Sequence, residues 1–166
     1  MYRVAVITAS DKGACGERED TSGQTVRELV EAQGWKVAYS RVVSDDLDTI
    51  TEVLLEAVKS GIDLVLTTGG TGLGPRDNTP EATLSVIERE VPGIAEAMRF
   101  ETFKISPRAV LSRGVAGIRG KTLIINLPGS PKAVRECLAV ILPVVEHGLA
   151  VLTGREQECG KEIRPE

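Results

Sequence analysis

Short unbroken apolar runs alternate along this chain with stretches whose apolar residues recur every three or four positions. Val4-Ala-Val-Ile7 is the first run. A run without polar alternation suits a parallel strand covered on both faces. It ends in the polar group Thr8-Ala-Ser-Asp11, at the end of a strand where open α/β sheets bind ligands. Residues 12–20 are charged and show no period, so a loop is expected there. Thr21-Ser-Gly-Gln24 has the spacing of a capping box, and Val26, Leu29 and Val30 face inward on a helix that reaches about Gln33 and stops at Gly34. Lys36 to Val43 reads as a second strand, with Trp35 packed at its start. Ser44-Asp45-Asp46 precedes a helical stripe of Ile50, Val53, Leu54, Ala57 and Val58, closed by Gly61. Capping accounts for one acid of the cluster Asp45, Asp46 and Asp48, and the preference of a first helical turn for acidic residues offers an equally ordinary reason for the others.

The third apolar run, Leu64 to Leu66, passes through Thr67 and Thr68 into a loop holding Gly69, Gly70, Gly72 and Gly74. Thr79-Pro-Glu81 then starts a helix, with Thr79 as cap and Pro80 at the first helical position, running to about Glu90. Val91-Pro-Gly93 breaks it, Ile94 to about Phe103 is helical again, and Ser106-Pro107 opens a short helix ending near Ser112-Arg113. Val115–Ile118 and Thr122–Leu127, joined by Arg119-Gly-Lys121, form a hairpin. A turn that short joins only antiparallel neighbours, so one strand runs against an otherwise parallel sheet. The last strand enters Asn126-Leu-Pro-Gly-Ser-Pro131, a second strand–glycine–helix junction with Ser130 as cap. Its helix runs to about Val145 and bends at Pro143. From Gly154 the chain is charged and aperiodic. One domain over residues 1–153 with a tail over 154–166 is the expected organisation.

Composition narrows the function classes. A net charge of −4, a pI near 5.2 and 3% aromatic residues exclude a broad nucleic-acid surface. No uninterrupted apolar run approaches the ~20 residues of a membrane span, and Met1-Tyr-Arg-Val-Ala-Val-Ile leads directly into a strand without a signal-peptide pattern. Cys15, Cys137 and Cys159 are odd in number and widely spaced, which fits a reducing cytoplasm. Cys137 falls on an apolar helical stripe and belongs to the core. His147, the single histidine, stands before Gly148 near a helix end, where capping is the default role, so a His/Cys zinc site is not expected.

The chemistry concentrates after the third strand. A strand, a glycine loop and a helix N-terminus in that order let main-chain N–H groups approach an anion. The same arrangement also serves merely to reverse the chain. The spacing is neither a P-loop, since no Lys-[Ser/Thr] follows the glycines, nor the Gly-x-Gly-x-x-Gly of a dinucleotide site. Asp77, at the far end of the loop, would repel an anion unless a cation lay between them, which makes it a candidate Mg²⁺ ligand.

Thr68-Gly-Gly-Thr-Gly72 with Pro75-Arg-Asp77 and Thr79-Pro-Glu-Ala-Thr83 resembles the molybdopterin adenylyltransferase family, which includes the gephyrin G domain. Leu111-Ser-Arg113, Ala116-Gly-Ile-Arg-Gly120, Thr122-Leu-Ile-Ile-Asn126, Pro128-Gly-Ser-Pro131, the early Ser10-Asp11 and Asp20-Thr-Ser-Gly23 agree with it, so the resemblance spans residues 3 to about 153. It implies a three-layer α/β/α sandwich with a mostly parallel mixed sheet and one antiparallel strand, usually as a homotrimer. It also implies transfer of AMP from ATP to the terminal phosphate of molybdopterin, with release of pyrophosphate, in molybdenum cofactor biosynthesis. A partner enzyme inserts molybdate afterwards.

By the same resemblance Asp77 and Asp45 are the catalytic, Mg²⁺-binding acids. The loop residues Thr68, Gly69, Gly70, Thr71 and Gly72 hold a phosphate. Ser112, Arg113, Asn126, Pro128, Gly129 and Ser130 shape the pterin pocket. Ser10, Asp11, Thr21, Ser22 and Gly23 contact the other end of the crevice. Gly74 and Asn78 are minor departures from the family pattern. Two other readings remain open at this stage: a carrier or scaffold that binds molybdopterin without turnover, and a sister group of the same fold whose acidic loop is altered, whereas here that loop is intact.

Overall fold

The computed structural model describes residues 1–155. The expected C-terminal tail beyond Arg155, Cys159 included, lies outside the described residues. Six strands form one sheet: β1 (Arg3–Ala9), β2 (Lys36–Val43), β3 (Leu64–Thr68), β4 (Arg89–Glu90), β5 (Ala116–Arg119) and β6 (Thr122–Leu127), in the order β2-β1-β3-β6-β5-β4. β2, β1, β3 and β6 are parallel, while β5 runs against both of its neighbours. The expected mixed sheet with one reversed strand is therefore present. The helices are α1 (Asp11–Ala14), α2 (Thr21–Ala32), α3 (Leu47–Lys59), α4 (Thr79–Val86), α5 (Pro92–Phe103) and α6 (Pro131–Thr153), with a 3₁₀ turn over Pro107–Leu111.

Alternation along the strands divides the core into two layers, because successive strand side chains point to opposite faces. Val4, Val6, Leu64, Leu66, Leu123, Ile125 and Leu127 face α2, α5 and α6, where they meet Val26, Val30, Met98, Val134, Leu138 and Ile141. Ala5, Ile7, Val65 and Ile124 face α3 and α4, where they meet Ile50, Val53, Leu54, Ala82 and Val86. Each fully buried Leu, Ile or Val contributes about 1.5–3 kcal/mol relative to exposure. Helices on both faces explain why the strands read as continuous apolar runs. Since α2 lies on one face and α3 on the other, the chain changes direction between β1 and β3, and a crevice opens there at the carboxyl ends of the strands.

Several boundaries differ from the sequence expectation. The 12–20 segment is not all loop: Ser10 accepts a hydrogen bond from the Gly13 amide (3.0 Å) and starts the short α1. The capping box does not form, because Asp20 takes the N-cap, its Oδ1 accepting from the Gly23 amide at 2.9 Å, and Gln24 instead donates to Glu28. Thr79 is not a cap either. Asn78 holds that position without a side-chain cap, its amide donating to the Asp45 carbonyl. α4 ends at Val86, and residues expected to be helical, Arg89–Glu90, pair with β5 as an edge strand. Pro92 begins α5 rather than merely breaking α4.

α6 continues through Pro143 to Thr153, so His147 sits inside the helix and not at its end. By length and composition α6 could cross a membrane, although Lys132, Arg135, Glu136, Glu146 and His147 interrupt its apolar residues. Its Val134, Cys137, Leu138, Ile141, Val145 and Leu149 are buried within the protein at three–four spacing, as in a core helix. Trp35 packs edge-on against Tyr2, and burial pushes the Cys137 thiol up to about 11.

Candidate active site

Three loops converge at the β1/β3 switch. The end of β1, the segment after it and the start of α2 supply Thr8, Ala9, Ser10, Arg18, Asp20, Thr21 and Ser22. The loop after β3 supplies Gly69, Gly70 and Asp77, the loop after β2 supplies Asp45, and the β6–α6 turn adds Gly129. Together they line a polar cavity of about 270 Å³. The convergence requires glycine. Gly69 has φ +88° and its missing Cβ would strike the Ala9 carbonyl, while Gly70 has φ +67° and its Cβ would strike Thr79 Oγ1. A Cβ on Gly129 would lie 3.3 Å from the Gly69 Cα.

The acids are held in place by one another's main chains and by an arginine. Asp11 donates its N–H to Asp45 Oδ2 (2.9 Å), and Asp45 donates its own to Asp11 Oδ1 (3.0 Å). Arg76 grips Asp11 with two nitrogens (2.8 and 3.1 Å) and Asp46 with a third (2.9 Å). Hydrogen bonds from Arg76 and the Asp45 amide lower the Asp11 carboxyl below its ordinary range. Those from Ser44 and Arg76 lower Asp46. Asp45 is raised, first by burial and then by the charges of Asp11 and Asp77 against the relief of the Asp11 amide. Among the described residues neither Asp45 Oδ1 nor Asp77 Oδ1 meets a hydrogen-bond donor, whereas Asp77 Oδ2 accepts from the Gly74 amide at 2.8 Å.

Two neighbouring carboxylates with free, hard oxygens and mutual repulsion fit Mg²⁺, which binds through one or two carboxylates and otherwise through water and phosphate. Among the described residues no group of three or more His, Cys, Asp or Glu side chains is placed to hold a metal, which is the arrangement a zinc or iron site would need.

The glycine loop presents amides and hides carbonyls. Among the described residues no protein acceptor faces the N–H groups of Gly70, Thr71, Gly72, Leu73 or Asn78. Behind the loop, Arg113 bonds its carbonyls and pairs with Glu81.

The remaining sequence candidates divide into latches and a second cavity. Thr68 is fully buried and its hydroxyl donates to the Pro128 carbonyl (2.6 Å). Asn126, also buried, donates to Thr67 and Thr83 and accepts from the Val115 amide, joining β6, β3, α4 and the approach to β5. Gly23 gives its amide to Asp20. Ser112, Pro128 and Ser130 line a mainly apolar cavity of about 250 Å³ with Met98, Ala109 and Cys137, separated from the crevice by the turn at Gly129. Arg113 thus acts on the scaffold, Asn126 does so while also lining the apolar cavity with Ser112, Pro128 and Ser130, and that chamber is a different one from the crevice of Asp45 and Asp77.

Sequence reading missed Thr8, Arg18, Asp20, Arg76 and Thr79. Asp20 had a signal, since aspartate before a Thr-Ser pair is a preferred N-cap. Its Oδ1 also accepts from the Thr8 hydroxyl, and its buried Oδ2 has no hydrogen bond among the described residues, with Arg27 at 3.5 Å. Arg76 sat between Pro75 and Asp77 in plain view, but its partners lie 30 and 65 positions away.

Residues 5–147 match the family described as "Probable molybdopterin binding domain". The chain belongs to this family. It is 40% identical over 162 residues to the molybdopterin adenylyltransferase of Helicobacter pylori (strain ATCC 700392 / 26695), covering 96% of this chain and 92% of that protein. It is 41% identical over 151 residues to the molybdopterin adenylyltransferase of Pyrococcus furiosus, covering 88% of each. Among solved structures, the molybdopterin biosynthesis enzyme MoaB of Thermus thermophilus superposes with a TM-score of 0.88 at 52% identity, over 95% of this chain and all of that one. Membership in the molybdopterin-binding family agrees with the observed sandwich and with a crevice at its switch point.

Proposed function

We propose that the protein is a molybdopterin adenylyltransferase, moving AMP from ATP to the terminal phosphate of molybdopterin. The observation that carries this reading is the pair Asp45 and Asp77 lining one crevice with Gly70, whose amide, like those of Thr71, Gly72 and Leu73 along the same loop, has no protein acceptor among the described residues. The names of relatives alike over nearly the full chain support it.

The nucleophile is a phosphate oxygen, ionised near neutral pH, so the chain needs no general base. An oxygen of the molybdopterin phosphate bonds to the α-phosphorus of ATP, the bond from that phosphorus to the bridging oxygen breaks, and pyrophosphate leaves with the electron pair. What the chain must supply is position and relief of repulsion. The amides of Gly70 to Leu73 bind phosphate oxygens. Asp45 and Asp77 would hold Mg²⁺, which when bound neutralises the polyphosphate and the leaving group. Ser10, Thr21 and Ser22 line the far wall of the crevice. The apolar chamber with Ser112, Pro128 and Ser130 accepts the flat pterin, and the Gly129 turn between the chambers aligns the two phosphates.

The working form is a cytoplasmic homotrimer that passes its product to a molybdate-inserting enzyme. Exposed Phe100, Phe103, Ile105, Val110 and Leu111 on α5 and the turn after it support the association of copies. Purified protein incubated with molybdopterin, ATP and Mg²⁺ forms adenylyl-molybdopterin and pyrophosphate in equal amounts. Pterin binding without either product would instead identify a non-catalytic carrier.

A further inference from the structure

We propose that Arg113 is a positioning residue that sets the direction of the glycine-loop amides, rather than a ligand of the pterin. The proposal rests on the reading of the crevice as an anion site. Arg113 holds three carbonyls at once: its backbone N–H donates to Thr71 O (2.9 Å), its Nε to Gly72 O (2.8 Å) and one terminal nitrogen to Asp77 O (2.7 Å). The other terminal nitrogen pairs with the Glu81 carboxylate in the first turn of α4, and that pairing lowers the Glu81 carboxyl. The guanidinium donors are therefore directed into the protein.

A trans peptide is planar, so the carbonyl of one residue and the N–H of the next point in opposite directions. Turning the carbonyls of Thr71, Gly72 and Asp77 toward Arg113 turns the N–H groups of Gly72, Leu73 and Asn78 away from it. Those three N–H groups have no protein acceptor among the described residues. Glycines let the peptide planes of this loop rotate with little cost. Some other group must therefore choose their orientation, and a planar fork with five donors on three nitrogens reaches two carbonyls and the Glu81 carboxylate in one fixed geometry, which the single nitrogen of a lysine ammonium does not reproduce. The grip on the Asp77 carbonyl fixes the backbone from which the Asp77 carboxylate reaches the crevice. Loss of the Arg113 side chain frees the Gly72–Leu73 and Asp77–Asn78 peptide planes and misplaces those amides and the carboxylate, while the main-chain bond to Thr71, α4 and the sheet stay intact.

The test uses the full chain with Arg113→Ala and Arg113→Lys. Amide cross-peaks of Leu73 and Asn78 in a nitrogen–proton NMR correlation spectrum report the planes held by the side chain, and calorimetric titration with inorganic pyrophosphate and Mg²⁺ reports the site. Both variants are expected to shift those two peaks while core amides of β1 and β3 stay in place, and to weaken pyrophosphate at least about tenfold. The Arg113 side chain is 35% exposed, so guanidinium ion added at millimolar concentration can enter the Ala variant and return both peaks and affinity toward wild type. Unmoved peaks in both variants overturn the proposal, as does an Arg113→Lys protein with wild-type affinity, or added guanidinium that leaves the Ala variant unchanged. If wild-type protein does not bind pyrophosphate, the reading of the crevice fails by itself, and the amide peaks still decide the role of Arg113.

Discussion

Asp11 and Asp45 hold each other by a reciprocal pair of bonds, each giving its main-chain N–H to the other's carboxylate. The pair ties the loop after β1 to the loop after β2, and Arg76 ties both to the loop after β3. Two like charges are thereby kept close, and the strain falls on Asp45, the more buried of the two. Replacing it with asparagine keeps an acceptor for the Asp11 amide and removes one charge. Asp45→Asn should therefore melt higher than wild type without metal at neutral pH, by about 1–3 °C for a weakly buried charge in a domain of this size. Added Mg²⁺ should raise the wild-type melting temperature and not that of the variant, and the variant should be inactive.

The same carboxyl gives a pH dependence of defined sign. A folded-state pKa raised above the unfolded value means that the ionised form costs stability, and the cost disappears as pH falls through the folded pKa. The advantage of Asp45→Asn should thus be full at neutral pH and shrink on acidification just above the ordinary carboxylate range. Asp11 and Asp46 act oppositely: their lowered values stabilise the fold above the ordinary range and lose that effect at more acid pH. Melting temperatures of the two proteins across this range, converging as pH falls, are the check.

Arg76→Leu should separate activity from stability. Its partners are exposed, so the melting temperature should change little. The loops carrying Asp45 and Asp77 lose their common tie, and a displacement near 1 Å costs about a hundredfold in rate. Steady-state kinetics beside thermal melts will show whether kcat falls alone.

Asn126→Ala should do the reverse. It strips partners from Thr67, Thr83 and the Val115 amide in a fully buried setting. A loss of about 2–4 kcal/mol in urea unfolding is expected.

The association of copies is open to a direct test. Phe100→Glu places a charge on a side chain that is 68% exposed in the single chain, so it should not unfold the subunit. Sedimentation velocity should report a trimer for the wild type and a monomer for the variant.

Much of this architecture was legible in the sequence because it is locally encoded. Continuous apolar runs gave β1 and β3, and Ser130-Pro131 marked the start of α6 where the structure has it. The reversed direction of β5 followed from the shortness of its turn to β6. Arg89–Glu90 was misread as helix because two charged residues carry no strand pattern. They are extended only because β5 offers its edge. In the site, the glycines and Asp77 are contiguous and could be read together. Arg76 with Asp11, or Arg113 with the Gly72 carbonyl, are contacts across 65 and 41 positions. Their meaning depends on which strands are neighbours, which no local spacing reveals.

The turn at Gly129 lies against Gly69 with no side chain between them. Gly129 lines the crevice while its chain neighbours Pro128 and Ser130 line the apolar cavity, so a single turn borders both chambers. Such a partition lets atoms seated on opposite sides react with each other while their bulky ends never share a room. The enzyme's selectivity would then depend less on either chamber than on how far a phosphate protrudes past the edge of the wall.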